Sequence, residues 1–224
     1  MKMNDIFDLM RARHSVRQYL DDTIPDDIRT KLREYAEELE GKGELGIQII
    51  YDEPDCFGSF RARYGSFKNC RNYISLVGKK KDPGLEERCG YFGELMVLKA
   101  QELGLNTCWV ALTHGKSRAV IGKDETEVIL ISLGYGKTQG TERKCKTAEE
   151  VSNVSADSPE WFRRGVEAAL LAPTAVNQQK FKFTLDKGRV RAECGKIGPC
   201  LKIDLGIVKC HFELAAGKDN FKWA

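Results

Sequence analysis

The feature that most constrains this chain is a continuous apolar run, EVILISLGYG, at residues 127–136. The run is bounded by turn residues and has the length of a strand, which predicts a buried β-strand. It is among the longest apolar runs in the chain, and none approaches the ~18 residues that a membrane-spanning helix needs. The sequence therefore predicts a globular core around at least one buried strand, and no association with a membrane.

Length and charge set further bounds. The chain has 224 residues, which fits one large domain or two small fused ones. Its 36 basic and 33 acidic side chains give a net charge of +3, too small an excess to indicate nucleic-acid binding. The first twenty residues lack a long apolar stretch and a small-residue cleavage site, so we expect a cytoplasmic protein.

Eight cysteines are present, but their spacing indicates neither a metal site nor a disulfide framework. No two are arranged as C-x-x-C, and the three histidines do not pair with them at metal-finger spacing. Four disulfides are the alternative, but the chain is neither small nor secretory in pattern. We therefore expect reduced, mostly buried thiols and no metal.

Hydrophobic periodicity predicts a mixture of helices and strands. The predicted helices lie at residues 4–13, 23–41, 85–103, 159–172 and 203–217. The predicted strands lie at residues 45–53, 72–78, 127–136, 179–185 and 189–194, the last two forming a hairpin around DKG. Thr23 is the expected N-cap of the second helix. The polar stretch at 137–160 is interpreted as a crossover without structure of its own.

The segment RHSVR carries the first candidate for chemistry. Arg13, Ser15 and Arg17 are two residues apart, and in an extended segment this spacing points their side chains to one side. Two guanidinium groups and a hydroxyl that converge would suit a phosphate, because arginine offers a fixed fork of donors to an oxyanion. The alternative is a solvated basic edge after a helix, where arginine favours the negative end of the helix dipole.

The segment APTAVNQQKFKF (172–183) carries the second candidate. Pro173 ends a helix, and small and amide residues then lead into a strand. Such a loop presents paired donors and acceptors without bulk, which suits a flat heterocycle with alternating N–H and C=O edges. The alternative is a simple turn, since Asn and Pro are turn residues.

A third segment, LGYGKTQGTERKCK (133–146), places glycines and basic residues after the buried strand. It fits neither the G-x-G-x-x-G fingerprint nor the P-loop. Lys144 and Lys146 could meet the same phosphate as Arg13 and Arg17, or could simply be surface residues. The chain contains no G-x-S-x-G and no H-E-x-x-H. Phosphate and amide signals without an acid–base motif favour a cofactor that performs the chemistry itself.

Together these segments resemble the nitroreductase family of FMN-dependent flavoenzymes. The family's phosphate motif is similar to RHSVR, and its Ala-Pro-Ser/Thr-x-x-Asn-x-Gln motif is similar to APTAVNQQ. Its Gly-Leu-x-x-x-Trp segment is similar to GLNTCWV (104–110), and its strand followed by Gly-Tyr to ILISLGYG. The chain is most similar to the branch in which one polypeptide contains two half-units.

The resemblance implies an α+β fold with a mixed β-sheet flanked by helices. Residues 1–150 would be an N-terminal half-unit with the phosphate motif. Residues 151–224 would be a C-terminal half-unit with the flavin-ring loop, and the two together would form one FMN-binding domain. Two glycine pairs with equal separation, Gly93/Gly104 and Gly206/Gly217, hint at a duplicated unit, with coincidence as the alternative.

The order of the motifs departs from the family pattern. The family carries its Ala-Pro-Ser/Thr motif early, on the second main helix, whereas here the corresponding helix DDIRTKLREYAEEL lacks it. The motif stands only at residues 172–179. Fusion of two halves would let one chain make internally the site that the family's homodimer makes between subunits. We therefore expect one FMN per chain, a degenerate second half-site and a monomer.

The resemblance also implies roles for individual residues. It assigns the phosphate to Arg13, Ser15, Arg17, Lys144 and Lys146, with His14 near the phosphate or the ribityl chain. It assigns the isoalloxazine ring to Pro173, Thr174, Ala175, Asn177 and Gln179. It places Tyr64, Gly65 and Lys68 in a ring-contacting segment, and Ala111 and Leu112 in the loop whose backbone N–H meets flavin N5. The small residues usual in that last loop are altered here.

The implied activity is two-electron transfer from NAD(P)H through FMN to a nitroaromatic, a quinone or a similar acceptor, by a ping-pong mechanism. No side chain is assigned as catalytic. One alternative is a flavin-binding protein without turnover, such as a carrier, a sensor or a docking module. A nucleic-acid-binding face is a weaker alternative, because the charges nearly balance and no aromatics lie among the lysines at 79–81.

Overall fold

The computed structural model describes residues 3–224, apart from the side chains of residues 3–5 and of Arg61. The helices are α1 (Met3–Ala12), α2 (Asp26–Gly43), α3 (Asp55–Gly58), α4 (Phe60–Tyr64), α5 (Leu85–Glu102), α6 (Ala148–Val151), α7 (Glu160–Leu170) and α8 (Leu201–Ala216). The strands are β1 (Gly46–Ile50), β2 (Asn72–Lys79), β3 (Asn106–Val110), β4 (Glu125–Gly134), β5 (Phe181–Asp186), β6 (Arg189–Cys194) and β7 (Lys222–Trp223).

The predicted buried strand lies inside a four-stranded sheet with the order β1-β2-β4-β3. All three pairings in this sheet are antiparallel. The second half of β4 is continuously buried, because helices cover one face and a smaller apolar cluster around Tyr19 and Tyr73 fills the other. The apolar run thus forms a strand between two neighbours, as its composition predicts.

A second, smaller sheet has the order β5-β6-β7, and β7 pairs parallel to β6 while β5 pairs antiparallel to it. The DKG turn closes the predicted hairpin, with Asp186 opposite Arg189 and Gly188 at φ 77°. The α+β class with flanking helices is therefore confirmed. The strands form two sheets rather than one, and parallel pairing within a sheet occurs in the smaller of them.

Helices α5 and α8 pack with their backbones in close contact, and one apolar cluster extends over both sheets and these helices. A Cβ on Gly90 would lie 2.1 Å from the carbonyl oxygen of Ile203, and one on Gly206 would lie 1.9 Å from that of Glu87. Only glycine permits such an approach. The glycine that meets Gly206 is Gly90, whereas Gly93 packs against Trp109 on β3.

Local structure differs from prediction in three places. Pro25, not Thr23, is the N-cap of α2, and it makes no side-chain cap bond. The stretch at 137–160 contains helix α6, which a capping box of Thr147 and Glu150 begins. That T-x-x-E signature was present in the sequence. The short helices α3 and α4 lie in a segment for which periodicity predicts nothing.

The eight cysteines, all within the described part of the chain, are free thiols, and five of them are buried. Among the helices seen over residues 3–224, none combines the length and the apolar character needed to cross a bilayer.

Candidate functional site

The N-terminal motif lies along the edge strand of the larger sheet. Ser15 forms a parallel bridge with Thr107 of β3, and the Val16 N–H donates to the Thr107 carbonyl at 3.0 Å. Tyr19 is buried, and its hydroxyl contacts the Val16 carbonyl at 2.7 Å and the Ser132 hydroxyl at 2.6 Å. These buried anchors hold the segment extended, so Ser15 and Arg17 are displayed on the surface.

Arg13 does not share the orientation that the two-residue spacing predicts. Its side chain is 2% exposed, whereas those of Ser15 and Arg17 are exposed. The backbone N–H of Arg13 still donates to the Leu9 carbonyl at 2.9 Å, so Arg13 belongs to the last turn of α1. The alternation of an extended segment begins only after it, and the guanidinium is directed into the protein.

Arg13 reaches a buried carboxylate on α5. Its Nε lies 3.9 Å from Oε1 of Glu94, which is 0% exposed. The same carboxylate accepts a hydrogen bond from Trp109 Nε1 at 2.9 Å and lies 2.9 Å from Nε2 of His211 on α8. His211 Nδ1 lies 3.0 Å from the carbonyl of Ala168 on α7. The N-terminal motif, β3 and three helices thus meet at Glu94.

A cavity of about 290 Å³ opens beside Arg13, and we call it the arginine cavity. Its lining includes Arg13, His14, Glu142, Arg143 and Cys145. The Nε atoms of Arg13 and Arg143 are both buried, with no hydrogen-bond partner among the described residues. Burial lowers the pKa of both arginines, and burial together with their charges lowers the pKa of His14. Such donors are complementary to an anion.

Arg143 joins the arginine cavity to the second candidate motif. Its Nη2 donates to the carbonyls of Leu170 at 3.1 Å and Ala172 at 2.8 Å, directly before Pro173. The RHSVR and APTAVNQQ segments are therefore linked through Arg143, and Leu171, directly before the second segment, lines the arginine cavity. Arg143 was absent from the predicted residues, although it lies in the predicted basic segment next to Lys144.

The two predicted lysines contact the 172–179 loop rather than the arginine cavity. The Lys144 carbonyl accepts from the side-chain amides of Asn177 at 2.9 Å and Gln179 at 3.0 Å. Lys146 Nζ donates to the Gln179 carbonyl at 2.9 Å, and its backbone N–H donates to Gln179 Oε1 at 2.9 Å. The amide of Gln179 is thus buried and bonded within the protein, while Lys144 and Asn177 are exposed.

The 172–179 loop has an unusual backbone. Val176, Asn177 and Gln179 have φ values of 47°, 53° and 45°, a left-handed conformation that is costly for a β-branched residue such as valine. Val176 is also 86% exposed, so burial of its side chain does not explain the conformation. Residues in such regions persist where the surrounding structure over-determines them, which is typical of functional loops.

Asp204 on α8 anchors this loop. Its carboxylate accepts from the Ala175 N–H at 2.9 and 3.1 Å and from Gln178 Nε2 at 2.7 Å. Burial raises the pKa of Asp204 to about 6. Asp204 and His211 are seven residues apart, about two helical turns, so one face of α8 contacts both the loop and Glu94. Asp204 was not predicted, since a single aspartate in an apolar helix belongs to no motif.

The remaining predicted residues lie beyond Arg17 along the same edge. The Lys68 N–H donates to the Arg17 carbonyl at 2.9 Å. Gly65 packs against Thr113, whose hydroxyl would lie 2.6 Å from a Cβ at that glycine. Ala111 and Leu112 directly follow β3, and Leu112 and Tyr64 are 80% and 76% exposed. These residues form an exposed rim that continues the line from Arg13 through Ser15 and Arg17.

Cys108 is a further residue that the sequence did not mark. It lies on β3 beneath the N-terminal motif, next to the Ser15 hydroxyl, and burial raises the pKa of its thiol. No described hydrogen bond joins the 172–179 loop directly to Ser15, Arg17 or the exposed rim. The loop is connected to them through Arg143 and the cavity.

The arrangement defines an α+β protein with an arginine-lined cavity that Arg143 joins to a small amide loop. A family profile described as "Putative TM nitroreductase" matches residues 5–216, and the chain belongs to that family. No curated protein sequence matches the chain.

Solved structures show the same fold at low sequence identity. A structure described as a putative nitroreductase from Thermotoga maritima is 24% identical, with a TM-score of 0.67, over 96% of this chain and 84% of that one. A structure described as a putative nitroreductase in complex with FMN, from Desulfovibrio desulfuricans, is 18% identical, with a TM-score of 0.52, over 69% of this chain and 96% of that one.

Proposed function

We propose that this protein is an FMN-dependent oxidoreductase of nitroreductase type that takes electrons from NAD(P)H. Membership of the family and the fold support this class of activity. The observation that carries the proposal is the pair of buried arginine Nε atoms, on Arg13 and Arg143, without partners beside one cavity. An anionic group that accepts from them would remove the cost of leaving these donors unsatisfied.

The size of the cavity suits one end of a mononucleotide. Small-molecule sites usually occupy roughly 300–1,000 Å³, and the arginine cavity, at about 290 Å³, lies at the lower limit. It would accommodate a phosphate, and the flavin ring would lie outside the cavity, against the 172–179 loop. Arg13, Arg143 and His14 would hold the phosphate, with Ser15 and Arg17 further along the same edge. Lys144 and Lys146, which contact the 172–179 loop, would attract the phosphate through their charge from that side.

The other predicted residues would border the ring. The proposed ring contacts are Pro173, Thr174, Ala175, Asn177, Gln179, Tyr64, Gly65, Lys68, Ala111 and Leu112. Gln179 would act by holding the loop rather than by touching the ring, because its amide is bonded to Lys144 and Lys146. Asn177 is exposed, and its amide, held by the Lys144 carbonyl and by Gln179, would present a fixed polar edge toward the ring.

When bound, FMN would supply two-electron transfer between NAD(P)H and an oxidised acceptor. The chain's own contribution is to bind the phosphate, to orient the ring against the 172–179 loop and to leave one side open. Phe60 and Tyr64 form an exposed edge-to-face pair with ring centroids 5.7 Å apart, next to the predicted ring-contacting segment. Such a pair offers a stacking surface to a planar acceptor such as a nitroaromatic or a quinone.

Residues 1–150 and 151–224 would be two half-units of one FMN-binding domain. Each contributes one sheet and one of the two helices that meet at Gly90 and Gly206, which supports this division. We propose one FMN per chain and a monomer. A titration of the apoprotein should end at one FMN per chain, and sedimentation should give the monomer mass; two FMN per chain would contradict the division.

The first test is optical. Purified protein should be yellow and should release FMN on denaturation, and the apoprotein should quench added FMN. NADH or NADPH should then bleach the flavin bands, and menadione or nitrofurazone should restore them with steady-state turnover. Protein that binds no FMN would overturn the proposal.

A flavin-binding protein without turnover is the second candidate. The observation that favours it is that most amide groups of the 172–179 loop are bonded within the protein, which leaves few free groups to direct chemistry. Bound FMN that neither NADH nor NADPH reduces would favour this candidate over the oxidoreductase.

A further inference from the structure

A buried carboxylate that the proposed reaction does not use lies directly behind the arginine cavity. Glu94 is 0% exposed and contacts Arg13, Trp109 and His211, as described above. Burial of charged groups is costly, and a well-packed apolar cluster of the same volume is often equally stable. The cluster is therefore weakly explained by stability, and its position behind Arg13 suggests a role toward the cavity.

The hydrogen bonds fix the number of protons in the cluster. The Ala168 carbonyl can only accept, so Nδ1 of His211 carries a proton. Between Nε2 of His211 and Oε1 of Glu94 a second proton must lie, because two bare acceptors would otherwise face each other at 2.9 Å. With that proton on either atom, the pair of His211 and Glu94 has no net charge. The cluster as a whole therefore has the single positive charge of Arg13.

Glu94 also determines where that remaining charge lies. Arg13 makes no side-chain hydrogen bond to any described residue, and its one salt bridge among them is to Glu94, with Oε1 3.9 Å from Nε. In a buried environment such an attraction is little screened. Glu94 therefore lies against the same guanidinium group that lines the cavity, and it restrains where the planar fork of donors sits.

We propose that Glu94, supported by His211, is a positioning residue that holds the Arg13 guanidinium at the arginine cavity for a phosphate. This inference rests on the proposed function. Glu94 touches neither the cofactor nor a substrate. It acts through Arg13, and through Trp109 it fixes the strand that leads to Ala111 and Leu112.

The variant Glu94→Gln tests the positioning of Arg13 without changing the net charge of the cluster. A glutamine can donate to Nε2 of a neutral His211 and can still accept from Trp109, so every hydrogen bond of the cluster is kept. The net charge is also kept, because the Glu94–His211 pair that shares one proton is uncharged, and so is a glutamine beside a neutral His211. What the variant loses is the oxygen that faces Arg13, because the amide nitrogen that donates to His211 takes the place of Oε1 and does not attract a guanidinium.

The experiment compares FMN with riboflavin, which has the same ring and no phosphate. Fluorescence titrations of the apoprotein should give an FMN dissociation constant about tenfold higher in Glu94→Gln than in the natural protein. The riboflavin constant should change by less than about twofold, since Arg13 acts on the phosphate alone. Equal losses for both ligands, no loss, or tighter FMN binding would overturn the proposal.

Glu213→Gln is the matched control. Glu213, on α8, is also a buried carboxylate that accepts from a tryptophan, in this case Trp223 Nε1 at 2.9 Å. It does not contact Arg13. This variant should leave the ratio of FMN to riboflavin affinity unchanged, and a selective FMN loss here would overturn the proposal. If circular dichroism shows that Glu94→Gln is unfolded, Glu94→Asp, which keeps the charge but shortens its reach, should show the same selective loss.

Natural protein that binds neither ligand would overturn the proposed function, and this inference with it. Natural protein that binds FMN, together with an unselective Glu94→Gln, would overturn only the inference. The two failures are therefore distinguishable in one set of titrations.

Discussion

The arginine cavity and the 172–179 loop differ in whether their buried polar groups have hydrogen-bond partners. In the arginine cavity, the Nε atoms of Arg13 and Arg143 are buried without partners. In the 172–179 loop, the side-chain amides are bonded to the protein, apart from Gln178 Oε1. The first region is incomplete without an anion, whereas the second is held in shape before any ligand arrives, in a strained backbone.

This difference suggests a division of labour. The arginine cavity would supply affinity through charge, and the loop would supply shape for the ring. Both depend on α8, which carries Asp204 toward the loop and His211 toward Glu94. The following changes test how far the two regions can be separated.

The largest effect should come from Gly206→Ala, which disturbs both regions together. A Cβ at residue 206 would lie 1.9 Å from the Glu87 carbonyl oxygen and 2.7 Å from the Tyr91 nitrogen, so α8 must move away from α5. We expect a loss of about 3 kcal/mol in the free energy of unfolding, measured in urea. Gly41→Ala is the control: no atom lies within 4 Å of that Cβ, and a gain of about 0.5–1 kcal/mol is expected. Equal stability of Gly206→Ala and the natural protein would contradict the close helix contact.

Arg13→Gln should affect the arginine cavity alone. Removal of a charged donor to the phosphate should weaken FMN binding roughly 30- to 100-fold, in the range of a strong charge-assisted hydrogen bond. Riboflavin binding should stay nearly constant in the same fluorescence titration. Arg17→Gln, at an exposed arginine of the same motif, should cause a smaller loss. A similar loss of riboflavin affinity in Arg13→Gln would show that the two regions are not independent.

Asp204→Asn should change how the free energy of unfolding depends on pH, because Asp204 anchors the loop with a carboxyl group that titrates. Burial raises the folded-state pKa of Asp204 to about 6, so the folded protein binds this proton more tightly than the unfolded chain does. Stability from this group is therefore full at low pH and falls as pH rises from about 4 through 6, by on the order of 1–3 kcal/mol. Asparagine cannot ionise, so the variant should gain relative to the natural protein between pH 4.5 and pH 7 in urea unfolding. A difference that is independent of pH would contradict the raised pKa.

The smallest effect should come from relief of strain in the loop. Asparagine tolerates the left-handed region that Val176 occupies, so Val176→Asn should stabilise the apoprotein by about 1 kcal/mol. Any change in flavin affinity should be equal for FMN and riboflavin, unlike that of Arg13→Gln. Val120→Asn, at another exposed valine without a positive φ, should give no gain in melting temperature. A gain confined to Val120→Asn would contradict the strain.

Secondary structure was largely readable from local pattern. The runs that became β1, β2, β4 and the β5–β6 hairpin, and the periodic stretches of α5, α7 and α8, lie within a few residues of prediction. The division into two sheets was not readable, because strand pairing depends on residues far apart in the chain. Helix α6 was not predicted, although the sequence contains the capping box that begins it.

The candidate site was readable only in part. RHSVR and APTAVNQQ were identified from residue type and spacing, and in the structure Arg143 links the two. Arg143 was one residue away from a predicted lysine, and spacing could not tell which of the basic residues turns inward. Asp204, Glu94 and His211 lie in helices where a single polar residue carries no local signal.

By itself, the sequence determined which segments are strands and helices and which short motifs carry donors for a phosphate and a ring, because these depend on neighbours along the chain. Only the tertiary structure decided that Arg13 is buried against Glu94 while Ser15 and Arg17 face outward, and that Arg143 joins the two motifs. Burial and charge pairing are set by helices that meet from distant parts of the chain, α5 and α8 above all. The close approach of Gly90 and Gly206 brings those helices together, and with them Glu94 behind the arginine cavity and Asp204 beneath the 172–179 loop.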